Sequence, residues 1–147
     1  MIERALILTA IAASVILVVA VARAWSERRL RGLMERGHER LWSALGEAPD
    51  GRPSLVVFST PSCAACRTAQ YPAVQTVAAR FGSALRVVNV DLAERPAIGD
   101  AFKVLTAPTT VVLAGDGRVG SVNNGFAPAE QLSAQVSALG VSPASPR

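Results

Sequence analysis

The sequence predicts an α/β protein: a central mixed sheet flanked by helices, behind an N-terminal transmembrane helix. Three observations carry that prediction. An apolar run fills most of the first two dozen residues. Short strand-like and helix-like segments alternate after residue 50. The only two cysteines, Cys63 and Cys66, sit three apart where a strand gives way to a helix. At 147 residues there is room for one domain with a proper core, not for two.

The apolar run comes first. From Ala5 to Ala22 the chain reads ALILTAIAASVILVVAVA, eighteen residues without a charge, bracketed by Arg4 and Arg23. At ~1.5 Å per residue a helix of this length reaches about 27 Å, enough to cross a hydrocarbon core if the arginines snorkel. Trp25 follows where an interfacial aromatic sits. Residues 1–24 are therefore expected to be an uncleaved, single-pass anchor in the cell membrane. A cleavable signal peptide is the competing reading, since Ala22-Arg23-Ala24 has the small-x-small form of a cleavage site. The run exceeds a usual signal core, however, and Glu3 offsets Arg4 in the n-region. A buried core helix is a poor fit for a stretch apolar on every face. Arg23, Arg28, Arg29, Arg31, Arg36 and Arg40 all follow the run, so the positive-inside bias keeps the attached domain in the cytoplasm. The alternative is an extracytoplasmic domain.

Residues 25–47 read as a juxtamembrane amphipathic helix. Leu30, Leu33, Met34, Leu41, Trp42 and Leu45 recur at helical spacing with charges between them, and Gly32 and Gly37 weaken it. "APDGRP", 48–53, is turn chemistry. SLVVFS (54–59) is a buried-type strand, 63–80 a helix, LRVVNVD (85–91) a strand and ERPAIGDAFKV (94–104) a short helix. TTVVLA (109–114) and RVGSVNN (118–124) flank Gly115-Asp116-Gly117 as a β-hairpin. PAEQLSAQVSAL (128–139) is the last helix, with Pro128 suited to its first turn. Helices between strands imply parallel pairing through right-handed crossovers, with one antiparallel hairpin at the edge. Residues 141–147, VSPASPR, read as a disordered tail.

The cysteines carry the chemistry. In FSTPSCAACRTAQYP, 58–72, Cys63 falls where a helix begins, and free N–H groups with the positive end of the helix dipole stabilise a thiolate there. Cys66 lies nearly one turn further along the same face, within reach of a disulfide. An exposed low-pKa thiolate beside a more buried partner is what thiol–disulfide exchange requires: Cys63 attacks a substrate disulfide and Cys66 resolves the mixed disulfide. Structural zinc needs about four ligands, and two thiols with a distant His38 do not supply them, so no metal and no other cofactor is expected. Inert packing cysteines fit poorly with so particular a placement. Thr60 and Ser62 cap the helix, or also hydrogen-bond toward the thiolate; sequence leaves both readings open.

The element order over roughly 40–140, the C-x-x-C at a strand end and "TAPTT" (106–110) resemble the thioredoxin superfamily. The domain is accordingly set at 48–140. The resemblance implies a cis peptide bond at Pro108, beside Cys63, with the backbone of Ala107 pairing with an extended substrate peptide. It makes Ala107, Pro108, Thr109 and Gly125 the substrate-binding surface and Pro61, Ser62 and Val57 the neighbours of the active site. Three departures stand out. The family's W-C-G-P-C becomes Ser62-Cys63-Ala64-Ala65-Cys66. The aspartate buried six residues before the first cysteine becomes Val57, and its lysine partner falls near Val87. The proline that kinks the helix, Pro72, comes one residue late. A usual base for Cys66 is thus absent.

Two functions of different class follow. The first is a membrane-anchored thiol–disulfide oxidoreductase whose partners are protein disulfides or thiols and an electron donor or acceptor. The second is a non-catalytic docking or assembly module of the same fold. The net charge of +4 does not argue for nucleic acid, because no basic cluster with interleaved aromatics appears outside the juxtamembrane arginines.

Overall fold

The computed structural model describes residues 38–144 and four helical positions, 14, 17, 18 and 21, of the N-terminal run. The chain divides into two units, Met1–Glu35 and Arg36–Arg147, and every element named below belongs to the second. Most of the expected anchor, residues 25–37 of the juxtamembrane helix with Trp25, and residues 145–147 lie outside the described residues. Among the described residues no helix is long and apolar enough to cross a membrane.

Helix α1, His38–Leu45, is the described end of the amphipathic segment. Its apolar positions Leu41, Trp42 and Leu45 are buried. The Arg86 guanidinium stacks 4.6 Å over the Trp42 ring, and it also pairs with Glu47 at 3.2 Å and Asp50 at 3.5 Å. One arginine thus ties α1 and the turn after it to the sheet. In that turn the Arg52 side chain and N–H beside Asp50 pull its carboxyl down to about 2. This pair is exposed and lies at the end of the sheet away from the cysteines.

Strand β1, Ser54–Ser59, has the bounds expected and is buried throughout. β2 is Arg86–Asp91, β3 Thr109–Leu113 and β4 Val119–Asn124. The four form one sheet in the order β2-β1-β3-β4. β1 and β2 pair in parallel, with Ser59 beside Asp91. The expectation that helix-linked strands run parallel does not hold for β3. It pairs antiparallel with β1, Phe58 facing Thr109. The reason is length. The helix between β2 and β3, α3, is Pro96–Phe102, about 10 Å long, against about 20 Å for a six-residue strand. The helix covers only about half the length of the strand, and the chain does not return along the sheet. β3 therefore enters at the end where β2 left, next to the cysteines.

Alternate residues of each strand feed two apolar layers. One joins Val56, Phe58, Val90, Val111 and Leu113 to Trp42 of α1 and Ile98 and Phe102 of α3. The rings of Phe58 and Phe102 lie 5.3 Å apart. The other joins Leu55, Val57 and Val112 to Val74, Val77 and Phe81 of α2, Tyr71–Phe81, and to Leu132 and Val136 of α4, Ala129–Ser137. Pro128 stands at the N-cap of α4, one residue before its first turn. The described part of the expected loose tail is held: Val141 packs on the second layer and the Ala144 N–H donates to the Arg80 carbonyl, 2.9 Å.

Candidate active site

The site is assembled at the end of the sheet where β1 stops and β3 starts. After Ser59 the chain turns through Thr60, Pro61 and Ser62, the last two exposed, and helix begins at Ala64. Cys63 therefore takes the N-cap position, and its own sulfur does the capping: the Cys66 N–H donates to Cys63 Sγ at 3.1 Å. Neither Thr60 nor Ser62 supplies the cap; the Thr60 carbonyl instead accepts the Cys63 N–H at 3.1 Å. A backbone N–H directed at sulfur is the kind of donor that stabilises negative charge there. Cys63 is half-buried, Cys66 is 1% exposed, and the two are joined in a disulfide with Cα atoms 5.3 Å apart. Of the two, Cys63 is the residue open to solvent.

The expected helix over 63–80 is present but not uniform. Residues Cys66–Gln70 form a π turn, in which the Tyr71 N–H bonds the Cys66 carbonyl five residues back. Such a turn takes up one additional residue, and one additional residue is what separates Cys66 from Pro72 relative to the family's spacing. Pro72 follows directly on that turn, as the second residue of α2, Tyr71–Phe81. The exposed Arg67 side chain donates back to the Pro61 carbonyl, bracing the cysteine turn.

The Ala107–Pro108 bond is cis, as the resemblance implied. Gly125 stands beside it: its N–H donates to the Pro108 carbonyl at 2.8 Å, with φ +93°, a conformation glycine adopts without a steric penalty. Ala107 and Gly125 are half-buried, while Pro108 and Thr109 are buried. The Thr109 hydroxyl donates to the Thr106 carbonyl at 2.8 Å, so of the four expected substrate-binding residues Thr109, like Pro108, is withdrawn from the surface. Val57 is 1% exposed and shares its layer with Val87, so the places of the absent carboxylate and its lysine are both apolar.

Three residues at the site escaped the sequence reading. Gln70, wholly buried, bonds the Ala127 backbone twice. The Tyr71 hydroxyl donates to the buried Ser59 Oγ at 2.8 Å, tying the start of α2 to the end of β1. Phe126, next to Gly125, is 52% exposed. The available signal was a glutamine on the otherwise apolar inward face of the helix, which asks for a partner. Its partner lies 57 residues away, and no local pattern points there.

A mixed four-stranded sheet, a disulfide at the first turn of the helix after β1, and a cis-proline opening β3 define a thioredoxin-type redox fold. The family model described as Thioredoxin matches residues 45–138, well over half of the chain, and the chain belongs to the thioredoxin family. Among solved structures it is similar to a mutant thioredoxin from Halobacterium salinarum NRC-1, at 25% identity and TM-score 0.56, covering 62% of this chain and 77% of that one. It is similar in fold to chloroplastic thioredoxin z, at 23% identity and TM-score 0.58, covering 69% and 88%. It also resembles MTB dsbF in fold, at 22% identity and TM-score 0.52, covering 60% and 81%. No curated protein matches the sequence.

Proposed function

We propose that this protein is a thiol–disulfide oxidoreductase that exchanges disulfides with protein substrates through Cys63-Ala64-Ala65-Cys66. The observation that carries the reading is a half-buried Cys63, whose sulfur accepts the Cys66 N–H, joined to a buried Cys66. In the reducing direction, the Cys63 thiolate attacks one sulfur of a substrate disulfide. That S–S bond breaks, the second substrate sulfur leaves as a thiolate, and a mixed disulfide forms. The Cys66 thiolate then attacks Cys63 Sγ, releasing the other substrate sulfur as a thiolate and closing Cys63–Cys66. Two electrons have passed to the substrate, and an external dithiol returns the pair to its reduced form. Ala107 offers its half-buried backbone to the substrate chain, with Pro108 and Gly125 forming the floor.

The full-length chain in detergent, supplied with dithiothreitol, should reduce insulin disulfides well above the reductant alone, with Cys63→Ser at background. A wild type no better than Cys63→Ser contradicts the reading. It would favour the docking module, for which the apolar Val57 in place of a buried base is the one supporting observation.

We further infer that residues 1–24 anchor the protein in the membrane with the domain in the cytoplasm. The uncharged run 5–22 and the six arginines after it support this, as do the exposed apolar side chains of helical Leu17, Val18 and Val21. A membrane-impermeant thiol reagent should label Cys63 only after lysis. Labelling in intact cells would place the domain outside, with exported proteins as its substrates.

A further inference from the structure

The π turn brings two side chains of Cys66–Gln70 into the interior, and only one of them is a cysteine. The other, Gln70, is 0% exposed. A buried amide is costly unless its donor and acceptor are both used. Here both are used on one residue. Gln70 Nε2 donates to the Ala127 carbonyl at 3.2 Å, and the Ala127 N–H donates to Gln70 Oε1 at 2.9 Å. Ala127 is itself 0% exposed and lies between the end of β4 at Asn124 and the start of α4 at Ala129. No sheet or helix ladder serves its backbone there.

The consequence appears one residue earlier. Phe126 is flanked by two fixed points: Ala127, clamped by Gln70, and Gly125, bonded through its N–H to the Pro108 carbonyl. Phe126 is nevertheless 52% exposed. An aromatic side chain left in water on a backbone held at both ends is a preorganised contact, because little freedom remains to be lost when a partner covers it. On the other side of Pro108, in the segment that leads into it, Leu105 is 73% exposed. The turn that presents Cys63 adds Pro61, Ala64 and Ala65, exposed and uncharged. Ser62 and Arg67 are exposed there too, the Arg67 side chain donating to the Pro61 carbonyl, and the other exposed residues named at this end of the sheet are apolar.

Resting on the oxidoreductase reading above, we propose that Gln70 is a positioning residue. It locks the segment Gly125-Phe126-Ala127 to the turn that carries Cys66, and so holds Phe126 as a fixed apolar contact for the substrate chain. The substrates this arrangement selects are protein disulfides flanked by large apolar side chains, such as those of incompletely folded chains. Phe126 makes the contact and Gln70 keeps it in place. The π turn is the element that joins them, since it carries the resolving cysteine and Gln70 on one buried face.

The test uses the full-length chain with three substrates: a disulfide peptide flanked by Phe and Leu, the same peptide with Ser at those positions, and hydroxyethyl disulfide. Wild type should favour the apolar peptide over the serine peptide by about tenfold in kcat/KM, mostly through KM. Gln70→Leu removes both bonds to Ala127 and should abolish that preference by raising KM for the apolar peptide. Phe126→Ala should do the same on a surface where folding is not at stake, and it decides the matter if Gln70→Leu does not fold. Either variant keeping the wild-type preference overturns the proposal, as does an equal loss on all three substrates. A wild type that reduces none of the three overturns the oxidoreductase reading, and this proposal with it.

Discussion

Val57 and Phe58 are neighbours in β1, and they point into two layers of different character. Phe58 enters the layer beneath α1 and α3, which also holds Trp42, Ile98, Phe102, Val111 and Leu113. That face also carries buried Ser54 and Thr109, in alternation with Val56 and Val111, but the described residues show no side-chain network across it. Val57 enters the layer beneath α2 and α4, and there polar groups are worked into the packing. Thr110 faces Val57 across the sheet, and Asn123 faces Thr110. The Asn123 amide donates to Thr110 Oγ1 at 3.0 Å and to Gln135 at 2.9 Å, while Gln131 and Gln135 donate to its carbonyl oxygen at 2.8 Å. The helix bearing Cys66 and Gln70 continues into α2 on this side. One face of the sheet is scaffold, and the other carries the site. Thr110, Asn123, Gln131 and Gln135 are matched to one another there, and a matched network fixes geometry where an apolar layer only fills space.

That contrast makes the two neighbours a paired experiment. Phe58→Ala empties a ring-sized volume from the scaffold layer and should cost about 3–5 kcal/mol of stability. Because the cysteine turn is built on the other face, its rate of disulfide reduction per folded molecule should stay near wild type. Denaturant unfolding beside an insulin assay corrected for folded fraction reads both numbers. A collapse in rate per folded molecule would show that the two faces are not separable.

Val57→Asp is expected to do the reverse. A carboxylate placed in that apolar layer costs a few kcal/mol if forced to ionise, about 2 or more, so its pKa rises instead. The sign follows directly. With the folded pKa above the unfolded value of ~3.9, the ionisation cost is absent below that value. It grows as pH climbs through the window between the two and is complete above the folded pKa. The same group restores a base near Cys66, so resolution of the mixed disulfide should speed up around neutrality while the protein unfolds more easily. Thermal stability across pH and single-turnover release from a trapped mixed disulfide test the two halves. A destabilised variant with no faster release means that another group already serves as the base.

Much of this architecture is legible in the residues. β1 ends where the change of pattern at Thr60-Pro61 places it, and the C-x-x-C at that junction marks the site. The hairpin follows from Gly115-Asp116-Gly117 between two β-branched runs. What is not legible depends on distance through space. The direction of β3 is decided by how short α3 is, which a list of elements does not weigh. The π turn leaves one trace, the late Pro72, because a bond five residues back has no residue preference of its own. The sulfur cap on the Cys66 N–H displaced the threonine and serine that composition favours for that place. The Gln70 clamp joins segments that only the folded sheet brings together.

The central claim is that Cys63, capped by a backbone N–H at the start of a helix, is the nucleophile, and buried Cys66 the resolver. The most direct measurement is the rate of iodoacetamide alkylation at each cysteine of the reduced full-length chain, resolved by peptide mapping across pH 5 to 9. Cys63 should react at least ~10-fold faster than Cys66 at pH 7, with a midpoint below the ~8.5 of an unperturbed thiol. Equal rates, or faster labelling of Cys66, would contradict the assignment.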